Sequence, residues 1–160
     1  MNTAFLLLGG NLGNRTGNLA QAKEFISSEC GRIHAVSSLY ETAAWGNTEQ
    51  PSFLNQALSL STELSAKQLL RRLLKAEKKM GRIREEKYGP RIIDIDILFF
   101  NAEIHNSTIL KLPHPEIQNR RFALLPLVEI APDFIHPVLK KSITELLKEC
   151  PDTLPVKKYS

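Results

Sequence analysis

At 160 residues, with 42% hydrophobic and 24% charged side chains, the chain has the size and composition of one globular domain that buries a core without staples, which excludes a disordered, fibrous or disulfide-scaffolded protein. A net charge of +4 and a pI of about 9.1 are mildly basic and suit a polyanionic small molecule or a nucleic acid. Cys30 and Cys150 have no C-x-x-C spacing and are expected as reduced thiols in the cytoplasm, and the apolar run at 4–8 is too short for a signal segment or a membrane span.

In chain order, 3–8 reads as a first strand. Gly9-Gly10-Asn11 turns it into a helix over 16–28, with Leu19, Ala22 and Ile26 on one stripe. The turn lacks the Lys-Ser/Thr of a P-loop and the spacing of a dinucleotide fingerprint; its glycines are expected to let a ligand approach the backbone. A second strand is expected over 33–40, and a long loop over 41–52 carries Trp45, Gly46 and Pro51. The third strand, 54–64, alternates through Leu54, Gln56, Leu58 and Leu60. Ser65-x-x-Gln68 is a capping box. It starts a second helix that runs to about Met80 and turns Leu69, Leu70, Leu73 and Ala76 inward. The loop 81–90 leads to a fourth strand. A helix follows near 120–130, with Pro126 expected in a bend or first turn. Another, at 142–149, has its own capping box, and the tail after Pro151 is expected to be loose. The order β-α-β-β-α-β is that of a split-βαβ, ferredoxin-like antiparallel sheet. The expected fold is therefore α+β, one domain over 1–160, with helices on one face and C-terminal additions.

The fourth strand carries most of the chemistry. Gly89-Pro90 makes a turn, and Arg91-Ile92-Ile93-Asp94-Ile95-Asp96-Ile97-Leu98 runs on as a strand. Alternate side chains share a face, so Asp94 and Asp96 point the same way, roughly 7 Å apart along the strand. Ile92, Leu98 and Phe100 are expected beside them, with Ile93, Ile95, Ile97 and Phe99 on the other face. Two carboxylates on a half-buried surface repel each other unless a cation sits between them. Hard oxygen ligands with room for water and phosphate suit Mg²⁺ better than zinc. Arg82, Arg84, Lys87 and Arg91 lie in the loop and strand start just upstream. Arginine forks onto phosphate oxygens, so the group as a whole is equipment for phosphoryl transfer. Glu85 and Glu86 read as solvated loop acids.

Phe53 and Asn55 begin the third strand two residues apart, on one face. A ring for stacking beside an amide that both donates and accepts suits a flat heterocycle, although a core phenylalanine and a strand-end asparagine account for the spacing better. His34, His105 and His136 have no zinc-site spacing. His114 differs, because Pro113 and Pro115 fix its direction.

Lys87-Tyr88-Gly89-Pro90-Arg91-x-x-Asp94-Ile95-Asp96-Ile97-Leu98 closely resembles the signature of the 6-hydroxymethyl-7,8-dihydropterin pyrophosphokinase family. In the same order come Leu8-Gly9-Gly10-Asn11-Leu12-Gly13, Tyr40-Glu41-Thr42 with Gly46, Gln50-Pro51-x-Phe53-Leu54-Asn55, Gly81-Arg82-x-Arg84, and Pro113-His114-Pro115 with Arg120-x-Phe122. The resemblance covers the chain to about Pro137. It departs where the family often has proline after the threonine, here Ala43-Ala44, at Trp45 before Gly46, and at Tyr88 where a tryptophan is frequent. It implies a ferredoxin-like enzyme that moves the diphosphate of ATP onto the pterin and leaves AMP. By the same resemblance Asp94 and Asp96 hold two Mg²⁺ ions, and Arg82 and Arg91 are catalytic. Thr42, Ala43, Trp45, Phe53, Asn55 and Phe122 bind the pterin, while Arg84, Lys87, Tyr88, His114, Pro115 and Arg120 bind ATP. A monomer is expected, without membrane or nucleic-acid partners, and with room for association with other folate-pathway enzymes.

The competing reading is a ferredoxin-like nucleic-acid module without catalysis. Its aromatic RNP1 signature belongs on a strand, yet the third strand begins Phe53-Leu54-Asn55-Gln56-Ala57-Leu58. An acid pair on the ligand face also repels a phosphate backbone.

Overall fold

A computed structural model describes residues 1–43, 50–81 and 91–159. Strand β1 (Asn2–Gly10) lies inside the main sheet and pairs antiparallel with β4 (Phe53–Thr62) on one side and β5 (Asp94–Phe100) on the other. β4 in turn pairs with β2 (Arg32–Val36) and β3 (Tyr40–Thr42). Helix α1 (Arg15–Glu29) joins β1 to β2, and helix α2 (Ala66–Lys79) joins β4 to β5. Each helix thus links two strands that run parallel with a third strand between them. A hairpin of β6 (His105–Asn106) and β7 (Lys111–Leu112), which the sequence reading did not foresee, follows β5.

Local chemistry explains most element ends. Ser65 Oγ accepts from the Gln68 N–H at 3.2 Å while Gln68 Oε1 accepts from the Ser65 N–H at 2.8 Å, so the first capping box forms as read. Ser142 and Glu145 build the second at the head of α4 (Ile143–Glu149). The expected strand over 33–40 breaks in two because the Ser37 hydroxyl takes over a backbone role, accepting from the Ala57 N–H at 2.9 Å. Pro126 sits inside α3 (Arg121–Ile130), buried, rather than in a bend. The tail is not loose throughout: β8 (Val156–Lys158) pairs with β3 at the sheet edge.

Helices cover both faces of the sheet, not one. Leu19, Ala22 and Ile26 of α1 and Leu69, Leu73 and Ala76 of α2 pack on Ala4, Leu6 and Leu8 of β1. Phe5 and Leu7, on the other face, pack with Ala123, Leu124 and Leu127 of α3 and Ile143 and Leu146 of α4. β1 is buried from Ala4 to Gly10 for that reason.

β5 corrects a second expectation. Leu6 pairs with Ile97 but Phe5 pairs with Phe99, so Leu98 is left over as a bulge and the alternation flips after it. Phe99 joins the face that carries the aspartates, and Phe100 the opposite one. Ile92, ahead of the strand, packs on the α1/α2 side. Phe99 then sits 4.7 Å from the Phe134 ring and edge-on to Phe5 at 6.4 Å. Phe99→Ala is expected to cost about 3–5 kcal/mol by emptying this cluster. Denaturant unfolding measures it, and a loss below about 1 kcal/mol would mean that the ring anchors nothing.

Candidate active site

The bulged strand and its neighbours set a row of residues across the sheet. Tyr40 is the register partner of Asn55, Asn55 of Gly9, and Gly9 of Asp94. Beside it run Thr42 opposite Phe53, and Leu7 opposite Asp96. All of these positions except Tyr40 line a cavity of about 150 Å³ on the α3 side of the sheet. Its lining brings together Thr42, Ala43, Phe53 and Asn55 with Arg91, Asp94, Asp96, Arg120 and Phe122. These nine are sequence-expected site residues from four separate stretches. Trp45, Arg82, Arg84, Lys87 and Tyr88 lie outside the described residues.

Gly9 is where the floor must be bare, since a Cβ there would stand 2.4 Å from Asn55 Oδ1. Gly10 serves something other than a ligand: its missing Cβ makes room for the Ile92 carbonyl, 2.3 Å away. Of the two, Gly9 alone lines the cavity, beside the Asn55 amide.

One end of the cavity is aromatic and amide-like. Phe53 and Phe122 supply rings, and Asn55 is 5% exposed. The Thr42 hydroxyl is buried and has no hydrogen-bond partner among the described residues. A buried hydroxyl left unpaired costs free energy that a polar ligand edge would recover.

The other end is charged. Arg91 Nη1 donates to Asp94 Oδ2 at 3.0 Å, with both side chains largely buried. The Arg91 guanidinium also lies 5.6 Å from the Phe53 ring centre, and that of Arg120 lies 5.8 Å from Phe122. Arg91 thus joins the aromatic and acidic ends, and Arg120 rests on the aromatic end by cation–π contact.

His114 and Pro115 border this end without lining it. The His114 N–H donates to the Leu98 carbonyl at 2.9 Å, fixing the segment beside the bulge. Burial first, then the Arg120 guanidinium, push the His114 imidazole down to about 4, against the opposing pull of Asp94 and Glu116. Nδ1 accepts from the Glu116 N–H at 3.2 Å, which leaves the proton of the neutral ring on Nε2. The other histidines are structural: His136 is buried and accepts the Val138 and Leu139 N–H groups, His105 meets Glu103, and His34 meets Ser61.

Sequence reasoning missed three participants. Asn11 is 2% exposed beneath the site. Glu77, also 2% exposed, accepts the Ile95 N–H between the two aspartates at 2.7 Å. Its place four residues after Leu73, on the apolar stripe of α2, was the readable signal. Leu154, in the tail, lines the pocket.

The titration of His114 has a measurable consequence. Unfolded, the ring takes a proton near 6.5; folded, it resists until about 4. The unfolded chain therefore binds more protons between those values, and stability falls as pH drops from 6.5 to 4. His114→Gln is expected to flatten that limb in denaturant titrations at several pH values; an unchanged slope would contradict the burial argument.

Comparison with known proteins agrees with this geometry. Residues 5–132 match the family described as 7,8-dihydro-6-hydroxymethylpterin-pyrophosphokinase. The chain is 41% identical over 149 residues to the 2-amino-4-hydroxy-6-hydroxymethyldihydropteridine pyrophosphokinase of Aquifex aeolicus, across 93% of this chain and 92% of that one. It is 43% identical over 136 residues to the protein of the same name from Methylorubrum extorquens, across 84% of this chain and 86% of that one. A folic acid synthesis protein of Dictyostelium discoideum is 40% identical over 138 residues, which are 86% of this chain and 21% of that longer one. Among solved structures, a Plasmodium falciparum HPPK-DHPS chain crystallised with pteroate matches the fold with a TM-score of 0.74 at 18% identity. The match covers 92% of this chain and 43% of that one.

Proposed function

The chain belongs to the 7,8-dihydro-6-hydroxymethylpterin-pyrophosphokinase family, and we propose that it moves the β,γ-diphosphate of ATP onto the hydroxymethyl oxygen of 6-hydroxymethyl-7,8-dihydropterin, leaving AMP, in folate biosynthesis. One observation carries the reading at the level of the site. A single cavity joins two rings, a buried amide and an orphaned Thr42 hydroxyl to paired carboxylates flanked by two guanidinium groups. The first end suits a flat polar heterocycle and the second a phosphate chain.

In this reading the pterin stacks between Phe53 and Phe122. Asn55 and Thr42 pair with its polar edge, and Ala43 and Trp45 contribute to pterin binding. Asp94 and Asp96 fit two Mg²⁺ ions. No cluster of three or more potential metal ligands exists among the described residues, and a carboxylate pair that leaves positions for water and phosphate is the usual magnesium arrangement. When bound, magnesium would neutralise and align the triphosphate. Arg91 and Arg82 stabilise charge on the bridging oxygen as its bond to the β-phosphorus breaks and it leaves with AMP. Arg84, Lys87, Tyr88, Pro115 and Arg120 hold the nucleotide. His114, kept neutral by burial, offers its Nε2–H to a phosphate oxygen. None of these residues is an obvious general base, and Asp96 is suited to share that role. Transfer is direct, without a covalent enzyme intermediate.

The strand order supports calling the core ferredoxin-like: β5, β1 and β4 in line, with β2 and β3 beyond. Residues 1–160 act as one domain and, in this reading, as a monomer. No helix among the described residues is long and apolar enough to cross a membrane, and the free thiols of Cys30 and Cys150 suit a cytoplasmic enzyme. The longer folic acid synthesis protein supports association with other folate-pathway enzymes. The nucleic-acid module finds no support, because acids occupy the sheet face that such a module turns to its ligand.

AMP release from ATP, with and without the hydroxymethylpterin, tests the reaction: pterin-dependent AMP is expected, and its absence refutes the assignment. Asp94→Ala or Asp96→Ala should lower turnover by several orders of magnitude and leave the fold intact, because removing one acid also relieves a like-charge repulsion. Turnover that survives EDTA would sink the metal assignment. Asn55→Ala should weaken pterin binding about ten- to a hundredfold and spare ATP. Calorimetry with each ligand decides this, and a loss confined to ATP would exchange the two ends of the pocket.

A further inference from the structure

Asn11 follows the last residue of β1 and is not itself among the residues that line the cavity, yet every polar atom of its side chain is engaged beneath the site. Oδ1 accepts from the Arg91 N–H at 2.9 Å. Nδ2 donates to the Pro51 carbonyl at 2.9 Å and to Gln50 Oε1 at 3.0 Å. The Asn11 and Leu12 N–H groups both return to the Arg91 carbonyl, at 2.9 and 3.2 Å. The side chain is 2% exposed. Gly10, just before it, is what lets the Arg91–Ile92 backbone come this close.

Those partners lie at the roots of the two walls of the pocket. Arg91 stands three residues before Asp94 and is paired with it. Pro51 stands two residues before Phe53. No ladder hydrogen bond joins these two stretches directly, because β1 lies between β4 and β5. One carboxamide spans the gap, using an acceptor on one side and both donors on the other. No other short side chain has that set: aspartate lacks the donors, serine has a single one, and glutamine is a methylene too long.

We propose that Asn11 is a positioning residue for diphosphoryl transfer, fixing the separation between the Phe53 wall and the Arg91–Asp94 wall. The proposal rests on the reading of the pocket given above. Each wall is complete without Asn11, so each ligand alone binds almost as before when it is removed. What is lost is the alignment of two bound ligands, to which transfer rates are steeply sensitive.

Asn11→Ala is therefore expected to lower kcat about ten- to a hundredfold, while the separate affinities for ATP and for the pterin change less than about threefold. Asn11→Asp keeps the acceptor for the Arg91 N–H but loses both donors toward Pro51 and Gln50. It is expected to show a similar loss of kcat. Thr62→Ala serves as the control for simple destabilisation. Thr62 is fully buried and donates to the Cys30 carbonyl, at the end of β4 away from the site. A kcat loss in Asn11→Ala no greater than in Thr62→Ala at matched stability would make Asn11 merely structural. Parallel losses of kcat and of affinity for one ligand, or full activity in Asn11→Asp, would also overturn the proposal. Hydrogen exchange reads the tie without turnover: the Arg91 amide should lose protection in Asn11→Ala and keep it in Asn11→Asp. Unchanged protection in Asn11→Ala refutes the tie even if the reaction is another, whereas silence of the wild-type protein in the AMP assay refutes only the reaction.

Discussion

The site depends on the register of three antiparallel strands. A pleated sheet sends alternate residues to the same face and spaces neighbouring strands by about 4.8 Å. With Asn55, Gly9 and Asp94 in one row, the amide and the first carboxylate stand about 10 Å apart across bare backbone. That span accommodates a small bicyclic ligand and the group it presents to a phosphate. A slip of one residue in either pairing would send one of the two functional side chains to the α1/α2 side. Register is protected on both faces, because the residues alternating with the site are buried under α1 and α2 and those along the same face are buried under α3 and α4.

The same alternation explains why charge is tolerated in so apolar a setting. Asp94 is flanked in sequence by Ile93 and Ile95, both buried on the opposite face. Its own face offers Arg91 at 3.0 Å and, through the pocket, Arg120. Glu77 is a different case. Its carboxylate is taken up by the Ile95 N–H on the core side, so a third acid lies under the pair without pointing into the cavity. A buried acid held by backbone N–H groups fixes a strand in place at the cost of desolvation.

Much of this was legible in the amino-acid sequence, for physical reasons. Both capping boxes are local chemistry and formed as read. The Asp-x-Asp pair shares a face because nothing interrupts the alternation between 94 and 96. The parts that were not legible depend on distant partners. The bulge at Leu98 has no glycine to announce it and reverses Phe99 and Phe100. β8 is a short polar edge strand whose pairing is decided by the presence of β3. The Ser37 break needs Ala57 opposite it. Asn11 reads as an ordinary turn residue until Arg91 and Pro51 are brought to it. One error was avoidable: an uninterrupted apolar run from Ala4 to Leu8 is the mark of a strand covered on both faces, which already argued against helices on one side.

Charge balance within the cavity bears on the magnesium ions proposed for it. The lining of Asp94, Asp96, Arg91 and Arg120 carries two negative and two positive groups, and neutral His114 adds neither. A triphosphate, as proposed for this site, would bring several further negative charges, and an Arg91 already paired with Asp94 and resting on Phe53 would offset few of them. The carboxylates are thus better understood as holders of additional positive charge than as partners for the arginines. With such charge held by Asp94 and Asp96, the Arg91 guanidinium would be available to phosphate while still resting on Phe53. In the proposed reaction the ring that would stack on the pterin would also seat the cation that meets the phosphates. The distance between the two walls is for that reason as much a part of the chemistry as the residues on them.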